Sequence, residues 1–545
     1  MKKFSLFIII YMAIFTFFSQ FLIQAHISYG QDAGEFAYWT ENGHLTKSNR
    51  HFFWSFISLN FYKFWKIAGL SGGAQKALQV LSTFFTSFNV ILFFLILHRM
   101  MDKPLRRSLM SVSIFSIFFA MSFANWAMGT EAIPQSTALF FLLLFLFIAL
   151  SKELKKLTEV MLLGVVFATA LLSEIMVIYF LPAFIFLLYT EKKCRKEILL
   201  FIFFTAIFFF PVYWLFFYYI FKMPELKEML NSFFWMAPRI EISYPLLTGF
   251  IFTSLAFVFS PGVDLLSFPA LYAGSLWHNI LNYFLLNIAV LSLIWILFRL
   301  PKLRESSKNL ILFSLLWSFI PLPIIIYREA WALDNIYYTL PGIWLLFFLI
   351  WNDMEVTFQY RRVFLSSSVV ILAIFVLNNF ICGIYPLSRL EKNEMYEEYR
   401  YLTSLVDEGE PILLISDGGN FETYELYFLL QNHSKREWDL LILDFFPYRS
   451  YLTEDLSLYS KRVRELSKSE TAWIFMIYPS EKPEKIEEVI SLLKNYHHNE
   501  SYWSNSLNSL VNEFLASYDE FKILPSTRER QYLLIKMERN SLSTI

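Results

Sequence analysis

The sequence predicts a polytopic α-helical membrane protein of about eleven spans with a C-terminal extracytoplasmic α/β domain. Three observations predict it. Of 545 residues, 56% are hydrophobic and 20% aromatic while only 17% are charged, a balance foreign to a large soluble enzyme. Apolar runs of spanning length recur as far as residue 381. From about residue 388 those runs stop, charges become frequent, and strand-like and helix-like segments alternate. The expected boundary therefore separates 1–387 from 388–545. A formal net charge of +0 excludes the basic domain that a nucleic-acid partner would want. The two cysteines, Cys194 and Cys382, fall in segments assigned to opposite membrane faces, so no disulfide is expected, and no metal-type spacing is present.

Taken in order, Met1-Lys2-Lys3 precedes an apolar run from Phe4 to Ile23. That run has the length of a spanning helix, whereas a signal peptide has an apolar core of about 7–15 residues. It is read as an uncleaved first helix, 4–24. Further spans are expected near 77–98, 106–124 and 133–150. The stretch 158–190 is too long for one helix and is interrupted by Ser173-Glu174, so it divides into two short spans. Others follow near 198–221, 275–298, 308–327, 334–351 and 362–381. The run 246–259 is short for a span and closer to a re-entrant segment. Lys and Arg clusters (Lys2 and Lys3; Arg99 to Arg107; Lys152 to Lys156; Lys192 to Lys196; Arg299 to Lys308; Arg361 and Arg362) place alternate loops on the cytoplasmic side. The N-terminus is then inside and the C-terminal domain outside.

With that orientation the interesting acids gather on the outer face. The first outer loop, 25–76, carries Asp32 and Glu35, three residues apart and so on one face of a helix, followed by His44, Lys47, Arg50 and His51. Carboxylates that accept a proton beside cations that hold a phosphate suit transfer chemistry. The same Asp32–Glu35 spacing also fits a capping box. The loop Asn125-Trp126-Ala127-Met128-Gly129-Thr130-Glu131 brings a further acid to the mouth of the fourth span, where Glu131 would equally favour a helix N-terminus. Glu174 at the break in 158–190 is read as simply following a Ser173 cap. Arg328, Glu329 and Asp334 precede the tenth span, and Arg328 could pair locally with either acid. Loop 222–274, with Arg239, Glu241 and Asp264, lies on this side too.

In the C-terminal region, strands are expected over Pro411–Ser416, Trp438–Phe446 and Ala472–Tyr478, with helices from Phe421 to about Gln431 and near 454–467 and 482–496. A hairpin-like pair is expected near 521–537, and the sheet should be mainly parallel. Gly418-Gly419 after the first strand would allow a phosphate or sugar to approach, although a two-glycine turn is a weak signal.

Four of these segments carry a family resemblance. Gln31-Asp32-Ala33-Gly34-Glu35-Phe36 resembles the "DSGE" signature of a GT-C glycosyltransferase family whose best-known member is the protein O-mannosyltransferase that modifies IPT domains. Trp126 to Ala132 is similar to its "W…AEVY" segment. Arg328-Glu329-Ala330-Trp331 with Tyr337, Tyr338, Leu340 and Pro341 is similar to its "R-x-R-Y-F-L-P" stretch. Ile415 to Asn420 resembles the turn that opens its soluble domain. The family's "HPPGYP" is replaced here by Gly43 to His51, its "GNH" by Leu172-Ser173-Glu174, and no Tyr follows Glu131-Ala132-Ile133.

The resemblance implies an inverting transfer of a sugar, in the mannosyltransferase branch, from a polyprenyl-phosphate carrier to a protein or glycan acceptor at the extracytoplasmic face of a membrane, taken as a bacterial inner membrane. It implies Asp32 as general base, Glu35 and Glu131 as residues that orient acceptor or donor sugar, and Arg328 (beside Glu329), Lys47, Arg50 and His51 as the donor's binding groups. No cofactor is required; a divalent metal is compatible with clustered carboxylates, but no spacing indicates one. The competing class is a transporter or flippase for lipid-linked sugars, against which stand the absence of an internal repeat and the gathering of charge at one surface. A display scaffold anchored by the spans would need far less membrane.

Overall fold

The computed structural model describes residues 2–24, 33–45, 51–101, 105–151, 156–191, 195–221, 276–303, 305–322, 337–357, 361–393, 395–416, 422–433, 438–444, 453–477, 488, 502–524 and 532–539. The chain divides into two compact units, Met1–Phe217 with Met223–Lys392, and Tyr218–Lys222 with Asn393–Ile545.

The first unit is helical. Its elements are α1 (Lys2–Leu22), α2 (Ala33–Glu41), α3 (Phe52–Ile67), α4 (Gly73–Arg99), α5 (Leu105–Ala120), α6 (Phe123–Thr130), α7 (Gln135–Ala149), α8 (Lys156–Ser173), α9 (Leu181–Thr190) and α10 (Arg195–Phe221). After these come α11 (Leu276–Arg299), α12 (Glu305–Phe319), α13 (Leu340–Thr357) and α14 (Arg361–Asn379). Among the described residues, Gly73–Arg99, Lys156–Ser173 and Arg195–Phe216 are long and apolar enough to cross a membrane. Leu109–Ala120 and Phe123–Thr130 meet the same standard together as one span bent by 55°. Among the described residues fewer spans than the expected eleven are marked by length and composition, and Gln135–Ala149 and Ile175–Thr190 are apolar but shorter.

Helix α4 is the hub of this unit. It packs against α1, α2, α3, α5, α6 and α7. Such a helix must be dressed on every side, and Val90, Phe93, Phe94, Ile96 and Leu97 are buried along its length. Ser82, Thr83, Thr86, Ser87 and Asn89 are buried on it too, and their hydrogen bonds run to α6, to α7, to Ile133 between those two helices, or back along α4. By contrast α10 leaves Leu199, Phe203, Ile207 and Leu215 exposed. The bend between α5 and α6 has a local cause: the Ser122 hydroxyl donates to Phe118 O at 2.7 Å and the Asn125 amide to Ala120 O at 3.2 Å, taking up carbonyls that the helix break leaves open.

The second unit is an α/β sandwich around a five-stranded sheet in the order β2-β1-β3-β5-β4, with β1 Ile412–Ser416, β2 Leu440–Asp444, β3 Thr471–Ile477, β4 Glu520–Leu524 and β5 Tyr532–Glu538. β1 pairs in parallel with β2 and β3, while β5 pairs antiparallel with β3 and β4. Ile412, Leu413, Leu414 and Ile415 are all buried, as an interior strand of a sheet covered on both faces requires. The expected mainly parallel sheet is thus mixed, the hairpin closing one edge. Helix α16 (Glu422–His433) follows β1 and α17 (Thr453–Leu466) follows β2, after α15 (Tyr396–Leu405) opens the unit. Helix α18 (Tyr502–Leu515) was not foreseen: its Ser and Asn content lowers helix propensity, and packing of Leu510, Val511, Phe514 and Leu515 decides the matter. Of the helix expected near 482–496 only residue 488 is described.

Candidate functional site

Asp32, Lys47, Arg50, Arg328 and Glu329 lie outside the described residues, as do Asp334, Gly418-Gly419 and the whole of 222–274. The site is therefore built from Glu35, His51, Glu131 and what surrounds them. Asp32 immediately precedes α2, in which Ala33, Gly34, Phe36 and Ala37 are buried while Glu35 is partly exposed.

The described residues of 25–76 include two helices, α2 and α3, held by one carboxylate. Glu41, the last residue of α2, accepts from the Tyr62 hydroxyl of α3 at 2.5 Å and from the Ala74 backbone N–H of α4 at 2.6 Å. The second bond places negative charge on the N-terminus of α4, where the helix dipole favours it. Gly72 and Gly73, at φ +97° and +62°, supply the left-handed backbone that turns the chain into α4. Burial and the neighbouring Glu41 carboxylate both raise the Tyr62 phenol above its usual range, so it stays a donor. Beneath this clamp Tyr62, Trp65, Ala74, Ala77 and Val80 pack together with Phe17 and Phe21 of α1.

His51 and Glu174 form a buried pair. His51 Nδ1 lies 2.9 Å from Glu174 Oε2, with 6% and 2% of the two side chains exposed. The other oxygen of Glu174 accepts from the Met176 backbone N–H at 3.1 Å, capping a short 3-10 turn, Ile175–Phe180, that leads into α9. This corrects the reading of Glu174 as a bystander to a Ser173 cap: the Ser173 hydroxyl donates back to Thr169 O inside α8, and Glu174 is itself the cap.

Glu131 also departs from expectation. Asn125 to Thr130 is not a loop at the mouth of a span but most of α6, buried throughout, and Glu131 follows it in extended conformation with only 2% exposure. α6 is pinned from several sides: Trp126 Nε1 donates to Ile23 O at 3.2 Å, Thr83 Oγ1 to Gly129 O at 2.9 Å, and Ser136 Oγ to Met128 O at 3.0 Å. Gly129 is required there, because a Cβ would stand 2.7 Å from Thr86 Oγ1 and 2.9 Å from the Gln20 amide oxygen. Tyr337, nine residues beyond Arg328, is buried and donates to Asn125 Oδ1 at 3.0 Å. The turn Tyr337–Thr339 packs on α6 and α7, so the segment bearing Arg328 ends against the peptide that leads to Glu131.

Sequence reasoning missed Glu41, Asn125 and Tyr337 as organisers, since partners 21 to 212 residues away leave no local pattern. For Glu174 a signal existed: a lone carboxylate in an apolar run is expensive and leans towards a built role. Among the described residues no three of His, Cys, Asp and Glu gather as a metal-binding group.

No family model matches the chain, and no curated protein sequence is similar to it. Solved structures overlap it loosely. An oligosaccharyltransferase from Archaeoglobus fulgidus, tethered to an acceptor peptide, is 12% identical, with 97% of this chain and 74% of that one covered at a TM-score of 0.49. ArnT from Cupriavidus metallidurans, bound to undecaprenyl phosphate, is 12% identical over 98% of each chain at a TM-score of 0.43. The arabinofuranosyltransferase AftD from Mycobacteria is 11% identical, covering 98% of this chain and 40% of its own, at a TM-score of 0.40. Overlaps of this looseness fix neither the activity nor the site of the present chain.

Proposed function

We propose that the chain is an inverting GT-C-type glycosyltransferase that moves a sugar from a polyprenyl-phosphate carrier to an acceptor hydroxyl at the extracytoplasmic face. The observation that carries the reading is the convergence around α4. Helix α2, which follows Asp32, packs on α4; α3, which follows His51, packs on α4; and α6 and α7, which flank Glu131, pack on α4 and also hold the turn that follows Arg328. Motifs far apart in sequence, each resembling one part of a transferase, thus belong to elements that share one neighbour.

In this reading Asp32 takes the proton of the acceptor hydroxyl as its oxygen attacks the anomeric carbon. The bond from that carbon to the phosphate oxygen breaks on the opposite side, which inverts the centre, and the phosphate leaves with the electron pair. Arg328, Lys47 and Arg50 neutralise the leaving phosphate, Arg as a two-pronged donor and Lys as a point charge. Glu35 and Glu131 hold sugar hydroxyls. About eleven spans with the C-terminal unit outside, division near residue 388, and a mannose donor belong to the same proposal.

The test is transfer from polyprenyl-phosphate sugar in membranes carrying Asp32→Asn. A fall of about 10²–10⁴ in rate is expected of a lost base; near-normal turnover would reassign the role. Arg328→Ala should weaken donor binding, and unchanged affinity would remove it from the clamp. One observation favours the transporter reading: Glu131 and the His51–Glu174 pair are buried in a helical body, where transporters keep coupling groups. Gradient-coupled movement of the lipid-linked sugar without its consumption would select that alternative.

A further inference from the structure

We propose that Lys76 and Gln24 form a binding site for a phosphate group at the N-terminal end of α4. Lys76 is half-buried in the first turn of that helix. Its ammonium meets two neutral groups, the amide oxygen of Gln24 just beyond α1 and the face of the Phe21 ring, 5.1 Å from its centroid. Among the described residues no carboxylate pairs with it. The acid close by in the fold, Glu41, has its two oxygens on the Tyr62 hydroxyl and the Ala74 N–H. An aromatic face and an amide oxygen hold the cation without neutralising it. Nor does the helix call for it, since a positive charge in a first turn opposes the helix dipole.

Gln24 supplies the second donor. An ammonium only donates, so the amide turns its oxygen to Lys76 and its nitrogen away. That nitrogen belongs to a side chain left 6% exposed and has no partner among the described residues. One turn back on α1, Gln20 is fully buried with both amide atoms unpartnered among the described residues. Thr16, Gln20 and Gln24 thus make a buried polar row at four-residue spacing along α1, which packs on α4. Such rows commonly hold membrane helices together by hydrogen bonds. Here that role covers the Gln24 oxygen and leaves three amide atoms over, each costly away from water. Where Lys76 and Gln24 meet, every spare polar group is a donor, so the ligand that fits is a compact anion rich in acceptor oxygens. Depth points to a phosphate carried by a lipid. Helix α4 has 27 residues, about 40 Å at about 1.5 Å per residue, which matches a bilayer with its headgroups. Its first turn therefore lies at the level of lipid phosphates.

The experiment titrates the full chain in detergent with undecaprenyl phosphate, phosphatidylglycerol or inorganic phosphate, and counts bound molecules by native mass spectrometry. Undecaprenol, which lacks the phosphate, is the blank. Lys76→Met keeps the stem and removes the charge, and should weaken phosphate binding about 10–100-fold, the loss expected of a charge-assisted hydrogen bond. Lys76→Arg keeps the charge and should retain most of the affinity. Gln24→Glu separates binding from packing. It gives Lys76 an ion-pair partner, so the melting temperature should hold or rise, while the added negative charge should weaken phosphate binding at least as much as Lys76→Met does. Wild-type affinity for all three probes in Lys76→Met and Gln24→Glu overturns the proposal, as does an equal loss for undecaprenol or a wild type that binds none of the three. Should Lys76→Met not fold, Gln24→Glu carries the test, and unchanged binding there overturns the proposal equally. A loss confined to phosphatidylglycerol assigns the phosphate to a bilayer lipid, one confined to inorganic phosphate to a soluble ion, and one seen with undecaprenyl phosphate to the carrier. The carrier reading fails separately: it falls if the wild type binds phosphatidylglycerol through Lys76 yet binds no undecaprenyl phosphate.

Discussion

In the helical unit His51 and Glu174 meet at 2.9 Å with 6% and 2% of their side chains exposed; in the α/β unit Arg464 and Glu513 meet at 2.8 Å with 65% and 44% exposed. The two distances are alike, but the physics is not. Water already solvates the second pair, which gains little from closing. The first pair has given up its water, so each partner depends on the other. The same contrast runs through the two units. In the α/β unit Arg462–Glu465 lies at the surface, whereas in the helical unit Glu131 and Glu174 are enclosed. Glu131 and Glu174 are thus fully wrapped, and a wrapped charge calls for an explanation that a solvated one does not.

The sharpest way to break this comparison is to remove one partner. Glu174→Ala should destabilise the protein by about 3–5 kcal/mol, since it strands a buried imidazole and uncaps the 3-10 turn; thermal unfolding in detergent measures it, and a small shift would mean water reaches the pair. Replacing both residues by Leu should largely restore stability, because no buried polar partner is then left stranded. Next in size is Gly129→Ala, which forces a methyl against Thr86 and Gln20 and should cost about 1–3 kcal/mol by the same melting measurement.

Tyr518 sharpens the comparison from the other side, as a polar side chain buried in the α/β unit. Burial, opposed by Arg539, pushes its phenol up to about 12. A raised pKa means the folded state holds the proton more tightly, so the stabilisation is complete below pH about 10 and is lost as pH climbs towards 12. Phenolate absorbance of wild type minus Tyr518→Phe should therefore rise late; a midpoint near 10 would show the ring to be solvated. Smallest of all, Arg464→Ala should change stability by at most about 1 kcal/mol. A larger loss, read from chemical unfolding, would show that the exposed pairs of this unit act as a network.

Much of the fold was legible locally. The break at Ser173-Glu174 is visible as a polar interruption of an apolar run, and the strands at Ile412–Ser416 and Thr471–Ile477 announce themselves as short apolar runs bounded by turns. Less legible was the stretch between α1 and α4, where Glu41 joins α2, α3 and α4. The segment before Glu131 looked like a loop since its Asn, Gly and Thr suit one, yet α4 and α7 supply hydrogen bonds that make it a helix. Of the candidate site, Glu35, His51 and Glu131 were named from sequence, but their surroundings were not.

By itself the sequence determined the class of the molecule, because hydropathy and period are properties of neighbouring residues: apolar runs must leave water, and alternating strands and helices must share a sheet. Only the tertiary structure decided which ionisable groups are enclosed and which partner each one keeps. Whether a histidine near the end of one loop meets a carboxylate from a distant helix break depends on how α3 and α8 pack. Burial turns that meeting from a negligible contact into a strong one, and burial is a property of the assembled chain.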